Sequence, residues 1–126
     1  MGEQGVRVAR VYDVVDGRGP RLTVDHPLLE EGEAARVLSY LDGGRALLTG
    51  LIRMRDVMTG DGSEVVPGGF ATDGTWVWCE ATAYYLRTYR LAPDPELLAH
   101  IRAAGYRPPE VGDPALRRAL TALRTA

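Results

Sequence analysis

The chain predicts an α+β fold: a small, mainly antiparallel sheet, one helix in the N-terminal half and about three helices at the C-terminus. Three observations carry this reading. Residues 1–79 are mostly short Val- and aromatic-rich runs broken by Gly, Pro and Asp. One segment with helical periodicity interrupts them near residues 30–42. From Glu80 onward the pattern is helical, with Asp-Pro start signals at Asp94-Pro95 and Asp113-Pro114. Strands first and helices last is the arrangement of an antiparallel sheet covered by helices.

Residues 1–5 read as a loose start. Val6–Val15 is a strand candidate whose alternation slips at Arg10, and Arg21–Asp25 alternates around Leu22 and Val24. The intervening Asp16-Gly17-Arg18-Gly19-Pro20 is a turn, so the two predict a hairpin. Ala34, Val37, Leu38 and Leu41 then fall on one helical stripe. Glu30, Glu31 and Glu33 stand near its start, where the helix dipole favours anions. Gly43-Gly44 ends it through the left-handed geometry that glycine tolerates. Ala46–Met54 reads as a strand with Ala46, Leu48, Ile52 and Met54 in phase. Thr59-Gly60-Asp61-Gly62-Ser63 is loop, and Pro67-Gly68-Gly69 is a further break.

Phe70–Trp78 predicts a hairpin with Asp73-Gly74 as a two-residue type I′ turn. Trp76 and Trp78 share one strand face and read as core. A helix follows over about Glu80–Arg90, with Ala81, Tyr84, Tyr85 and Thr88 on one face. Asp94 and Pro95 supply the N-cap and first position of the next helix, lined by Leu97, Leu98 and Ile101 and stopped at Gly105. Asp113-Pro114 repeats the signal for a last helix, with Leu116, Leu120 and Leu123 inward and Arg117, Arg118 and Arg124 outward.

At 126 residues the chain has the size of one domain, residues 1–126. It has fifteen Arg, no Lys, no Asn and one Gln, the mark of high-GC coding. An Arg cluster is therefore weaker evidence for nucleic acid than usual, and the net charge of −2 does not call for nucleic acid or an anionic membrane. A lone Cys79 permits no intrachain disulfide. No leader opens the chain and no apolar run reaches the roughly 20 residues of a membrane span, so the expected setting is the cytoplasm.

The search for chemistry yields no catalytic residue, no metal site and no cofactor motif. His26 and His100 stand in no metal-binding pattern and read as structural. Cys79 lies between Trp78 and Glu80, which disfavour a thiolate. The C-terminal arginines interleave with Tyr84, Tyr85, Tyr89 and Tyr106, yet no nucleic-acid-binding motif accompanies them. One charge pattern stands out. From Asp56 to Glu80 the acids are Asp56, Asp61, Glu64, Asp73 and Glu80, with no cation among them. The stretch is either a solvated acidic loop region or a docking face for a basic partner.

The run Gly69-Phe70-Ala71-Thr72-Asp73-Gly74-Thr75-Trp76-Val77-Trp78, followed by Ala83-Tyr84-Tyr85-Leu86 and a helix near Glu96–Gly105, resembles a group of small actinobacterial proteins. Cys79 departs from that pattern, which often has Pro there. Some members resemble immunity proteins that neutralise polymorphic toxins. The resemblance covers about the last half of the chain and transfers no catalytic residue. It implies a non-enzymatic protein that binds a partner, such as a toxin domain with a basic surface, through an acidic face made of Asp56, Asp61, Glu64 and Asp73, with Glu80 the weakest member because it can cap a helix. A small enzyme, a nucleic-acid-binding regulator and a homodimeric scaffold are the competing expectations.

Overall fold

The computed structural model describes residues 5–49 and 52–126. Residues 1–4 of the expected loose start and residues 50 and 51 of the expected Ala46–Met54 strand lie outside the described residues. The architecture is α+β, as the sequence predicts. The strands are β1 (Arg7–Val8), β2 (Val14–Asp16), β3 (Gly19–Arg21), β4 (Arg45–Leu48), β5 (Arg53–Met54), β6 (Val66–Pro67), β7 (Phe70–Thr72) and β8 (Trp76–Cys79). The helices are α1 (Glu31–Asp42), α2 (Glu80–Tyr89), α3 (Pro95–Ala103) and α4 (Asp113–Thr125). The main sheet has the order β1-β8-β7-β4, antiparallel except for the β1–β8 pair. β2–β3 and β5–β6 are separate two-stranded ribbons.

Strand β8 is central and all of it is buried. Trp76 and Trp78 enter a core with Val37, Tyr40, Leu41, Leu86, Leu97, Leu98 and Ile101, which ties the sheet to α1, α2 and α3. Cys79 enters a second cluster with Val66, Ala81, Tyr85 and Leu91. Helix α4 packs against β1, β8 and β4, with Ala119 fully buried and Arg117, Arg118 and Arg124 exposed.

Several local expectations shift. The expected Val6–Val15 strand divides, because the Arg10 amide donates to Asp94 Oδ2 at 2.9 Å and draws the chain off the sheet after Ala9. The N-terminal hairpin forms but is shorter, with Val15 paired to Pro20. The Ala46–Met54 strand becomes two, β4 paired to β7 and β5 paired to β6.

The 70–78 hairpin turns one residue later than predicted. Thr72 pairs with Val77, and the Asp73 amide donates to the Trp76 carbonyl, so Gly74-Thr75 are the central residues. Gly74 has φ +95° and Thr75 is not left-handed, the pattern of a type II′ rather than a type I′ turn. The cause is Asp73, whose carboxylate caps the turn from the position before it.

Helix α1 begins at Glu30, whose side chain accepts the Glu33 amide at 2.8 Å. Its end differs from expectation: Gly43 is right-handed, with φ −86°. Space, not backbone conformation, selects the two glycines. A Cβ on Gly43 would lie 2.6 Å from Pro108 Cγ, and one on Gly44 would lie 2.5 Å from Trp78 Cζ2. The left-handed helix cap falls instead on Arg90, at the end of α2. Asp94 caps α3 as predicted, accepting the Glu96 amide at 3.0 Å. Asp113 is not a cap; it lies inside α4 and pairs with Arg45 at 3.0 Å.

This packing has consequences for stability. Gly44→Ala forces its methyl into the Trp78 ring and the nearby Thr72 carbonyl, and overpacking of this kind costs about 1–3 kcal/mol. Gly17→Ala, with nothing within 4 Å of the added carbon and no positive φ, is nearly neutral. Urea denaturation of the two variants measures the difference.

A pH dependence arises at Glu33, which joins α1 to α3 and to Tyr106. Arg102 Nε donates to it at 2.7 Å and the Tyr106 hydroxyl at 2.7 Å. These bonds, the guanidinium first, lower the carboxyl from 4.5 to about 2. A depressed carboxyl stabilises the fold above its unfolded value and loses that contribution as pH falls through its folded value. Glu33→Gln is therefore less stable than the parent at neutral pH, and the two converge between pH 4.5 and about 2. Melting temperatures across that range provide the check.

Candidate functional site

The acids singled out in the sequence do not form one face. Asp73 is buried, and its carboxylate is fully occupied. Oδ1 accepts the amides of Thr75 at 2.9 Å and Trp76 at 2.7 Å. Oδ2 accepts the Tyr40 hydroxyl from α1 and His100 Nε2 from α3 at 3.0 Å. Burial and the adjacent carboxylate push the Tyr40 hydroxyl well above its ordinary value, so it stays a donor. Asp73 is withdrawn from solvent and from any docking face; its work is to join the hairpin to two helices.

Asp56 is buried as well. Its Oδ2 accepts the Tyr84 and Tyr89 hydroxyls, each at 2.6 Å, and its Oδ1 accepts the Met58 amide at 2.8 Å. Burial alone would raise this carboxyl, but the two phenols and the amide outweigh it and hold the group below its ordinary value. The tyrosines form a cluster. Tyr84 meets Tyr85 edge-on with centroids 5.3 Å apart, Tyr12 meets Tyr85 at 6.3 Å, and Tyr85 stacks on Tyr89 at 6.3 Å. The Tyr85 hydroxyl accepts the Val57 amide at 3.0 Å. Helix α2 thus grips the start of the 56–64 loop through three tyrosines, two of them by way of Asp56.

Glu80 is half-buried and also spoken for. Its Oε1 accepts the Gly69 amide at 2.9 Å, while its own amide donates to the Gly69 carbonyl at 2.8 Å. The expected helix-capping role is replaced by an extension of the β7–β8 pairing. A Cβ at Gly69 would meet this carboxylate and would lie 2.5 Å from the Leu48 carbonyl, which explains the glycine.

Two acids remain exposed. Asp61 Oδ1 accepts the Ser63 amide at 2.9 Å, the Ser63 hydroxyl at 2.7 Å and the Thr59 hydroxyl at 2.8 Å. These bonds, led by the Ser63 amide, bring its carboxyl to about 2, so it is ionised at neutral pH. Oδ2 takes no part in them. Glu64 is exposed beside it, and Met58 and Val65 expose apolar surface on the same loop, 45% and 50% accessible.

The histidines are structural elements of the fold. His26 Nδ1 faces Asp13 Oδ2 at 2.9 Å and Nε2 faces the Ala92 carbonyl at 2.7 Å. Both partners are hydrogen-bond acceptors. The contact pins the N-terminal ribbon to the α2–α3 connection. Burial opposes ionisation of Asp13, yet the Thr23 and His26 bonds keep its carboxyl below the ordinary value. Cys79 caps α2 by accepting the Ala81 amide through Sγ at 3.5 Å, and burial pushes its thiol up, away from the thiolate. Among the described residues no group of three or more His, Cys, Asp or Glu side chains could hold a metal ion, and no helix is long and apolar enough to cross a membrane.

Sequence reasoning missed a cleft that Asp56 and Tyr12 border. It lies between the tip of the β2–β3 ribbon and the 54–62 segment, and has a volume of about 630 Å³. Tyr12, Met54 and Asp56 line it, from segments 42 or more positions apart. No local pattern brings such residues together. The tyrosine pair and the Asp56-to-Glu80 acids are visible in sequence, but not that they bond to each other.

No family model matches this chain, and no curated protein or solved structure matches it either. The chemistry of the site itself carries the functional reading. The Asp73 network makes a direct prediction. Asp73→Asn keeps the shape but replaces one acceptor oxygen by an NH₂ donor facing other donors. Leaving buried polar groups mismatched costs about 1–3 kcal/mol, so the variant unfolds at lower urea. Tyr40→Phe, which removes one donor and leaves Asp73 three, costs less.

Proposed function

We propose that this chain is a non-enzymatic binding protein of the immunity type, which neutralises a partner by docking on it through the 58–65 loop. The observation that carries this is the loop's composition together with the hydrogen bonds that tie it down. It offers two exposed carboxylates, Asp61 and Glu64, beside exposed Met58 and Val65, and no cation lies anywhere from Asp56 to Glu80. Interfaces of this kind combine an apolar centre with a charged rim. The loop is held in shape before binding by Asp61 within it and by Asp56 on Tyr84 and Tyr89 at its base. Preorganisation lowers the ordering cost of association. Acid on a hydrogen-bonded loop suits a cationic cleft, such as that of a toxin domain acting on nucleic acid, and charge complementarity speeds encounter. The resemblance of the 69–86 segment to immunity-like proteins supports the same reading.

The buried acids narrow the face. Asp56, Asp73 and Glu80 serve it only by holding the scaffold, while Asp61 and Glu64 would touch the partner.

The test starts with capture of the tagged chain from its own host and identification of a stoichiometric partner. Asp61→Asn with Glu64→Gln then removes both charges, while the new amide oxygen takes over the loop's acceptor role from Asp61 Oδ1. The expected outcome is a melting temperature slightly lowered, because the depressed Asp61 carboxyl contributes stability at neutral pH, and partner association slowed about tenfold or more at low salt, with the difference shrinking as salt rises. Unchanged association would remove the loop from the interface. Recovery of the chain alone, or only with copies of itself, would count against the reading altogether.

A further inference from the structure

We propose that the cleft between the β2–β3 ribbon and the 54–62 segment is a binding site for a small planar, largely apolar molecule that carries a carboxylate or phosphate. The proposal goes beyond the docking role of the loop tip and does not depend on it.

Size is the first argument. At about 630 Å³ the cleft falls within the range of sites that hold metabolite-sized ligands. Its lining is the second. The Tyr12 ring, Met54, Val57 and Pro20 supply apolar walls, and an aromatic wall favours a flat ring through offset or edge contacts. Gly19, Gly60 and Gly62 also line it, each with positive φ and with nothing within 4 Å of a would-be Cβ, so backbone rather than side chain bounds the opening.

Charge is the third argument, and it selects the ligand class. Arg18 and Arg55 both line the cleft and both are exposed. Among the described residues neither makes an ion pair, a state they share with Arg36, Arg53, Arg90, Arg107, Arg117, Arg118 and Arg124; what distinguishes them is that both border this cleft. A guanidinium presents a planar fork of donors that matches carboxylate and phosphate. The one acid lining the cleft is Asp56, whose two oxygens are turned to the donors of Tyr84, Tyr89 and Met58; its charge persists, so an anion is held only where the two guanidinium groups outweigh it. Those same bonds fix one wall of the cleft, as preorganised binding requires.

The probe for the test is 2-naphthoate, with uncharged 2-naphthalenemethanol as its neutral counterpart, followed by amide chemical-shift changes in the full chain. The expected result is saturable shifts at Tyr12, Met54 and Val57 with 2-naphthoate, and binding at least tenfold weaker for the neutral compound. Arg18→Ala and Arg55→Ala each weaken 2-naphthoate binding by tenfold or more without moving the melting temperature. Shifts absent from those residues at millimolar probe overturn the site. Equal binding of the two compounds, or arginine variants that bind as the parent does, overturns the anionic class. The comparison of the two compounds needs no variant, so it stands even if an arginine substitution disturbs the fold. 2-Naphthyl phosphate keeps the ring and changes only the anion: tighter binding than 2-naphthoate assigns the ligand's anion to the phosphate class, and weaker binding assigns it to carboxylates.

Discussion

The buried carboxylate of Asp73 is the constraint on which the rest of the structure turns. A charge removed from water is tolerated only where donors replace the lost hydration. Here four do so, two hairpin amides, the Tyr40 hydroxyl and His100 Nε2. Each donor comes with an element attached. The amides set the turn at Gly74-Thr75, which sets the β7–β8 register and so places Trp76 and Trp78 on the core face. Tyr40 brings α1 and His100 brings α3 to the same point. The tryptophans then pack against Val37, Leu97 and Ile101 from those two helices. One side chain thereby couples turn geometry, strand register and helix placement.

The same device recurs, for a reason visible in the composition. Asn is absent from the chain, so Asp must fill the short-acceptor role that Asn and Ser share with it at turns and helix starts. Asp16, Asp56, Asp61, Asp73 and Asp94 each accept the amide two residues ahead through Oδ1. Much of the acid in the first eighty positions is thus backbone chemistry written in a charged residue. A count of acids along such a chain overstates the acidic surface that a partner would meet.

This use of Asp at turns and helix starts separates what is legible in the sequence from what is not. The helices are readable because period, caps and Asp-Pro starts are local signals, and α1, α2 and α3 lie close to where these place them. The paired tryptophans are readable as core because two large aromatics two apart on a strand must share a face. The Gly43-Gly44 end of α1 falls where the sequence puts it, but for a different reason: the glycines make room for Pro108 and Trp78, contacts 65 and 34 positions away. The hairpin turn lies one residue from its expected place because an Asp-Gly pair does not reveal that the aspartate is held from outside by Tyr40 and His100. The acidic stretch divides in the same way. Asp56 and Asp73 look like Asp61 in sequence, and only the tyrosines and His100, far along the chain, distinguish a buried hub from an exposed charge.

The surviving exposed acids and the cleft are not independent surfaces. Both use the 54–64 segment, whose position is set by Asp56 on α2 and whose tip is set by Asp61. A ligand lodged against Met54, Val57, Gly60 and Gly62 lies against the backbone of the loop that presents Asp61 and Glu64. Where one ligand changes the affinity of a second, thermodynamic linkage requires the reverse effect to be of the same size. If the cleft and the tip each have an occupant, the shared segment makes coupling between them a structural expectation, and its sign depends on whether the cleft ligand holds the loop in the conformation that the partner binds.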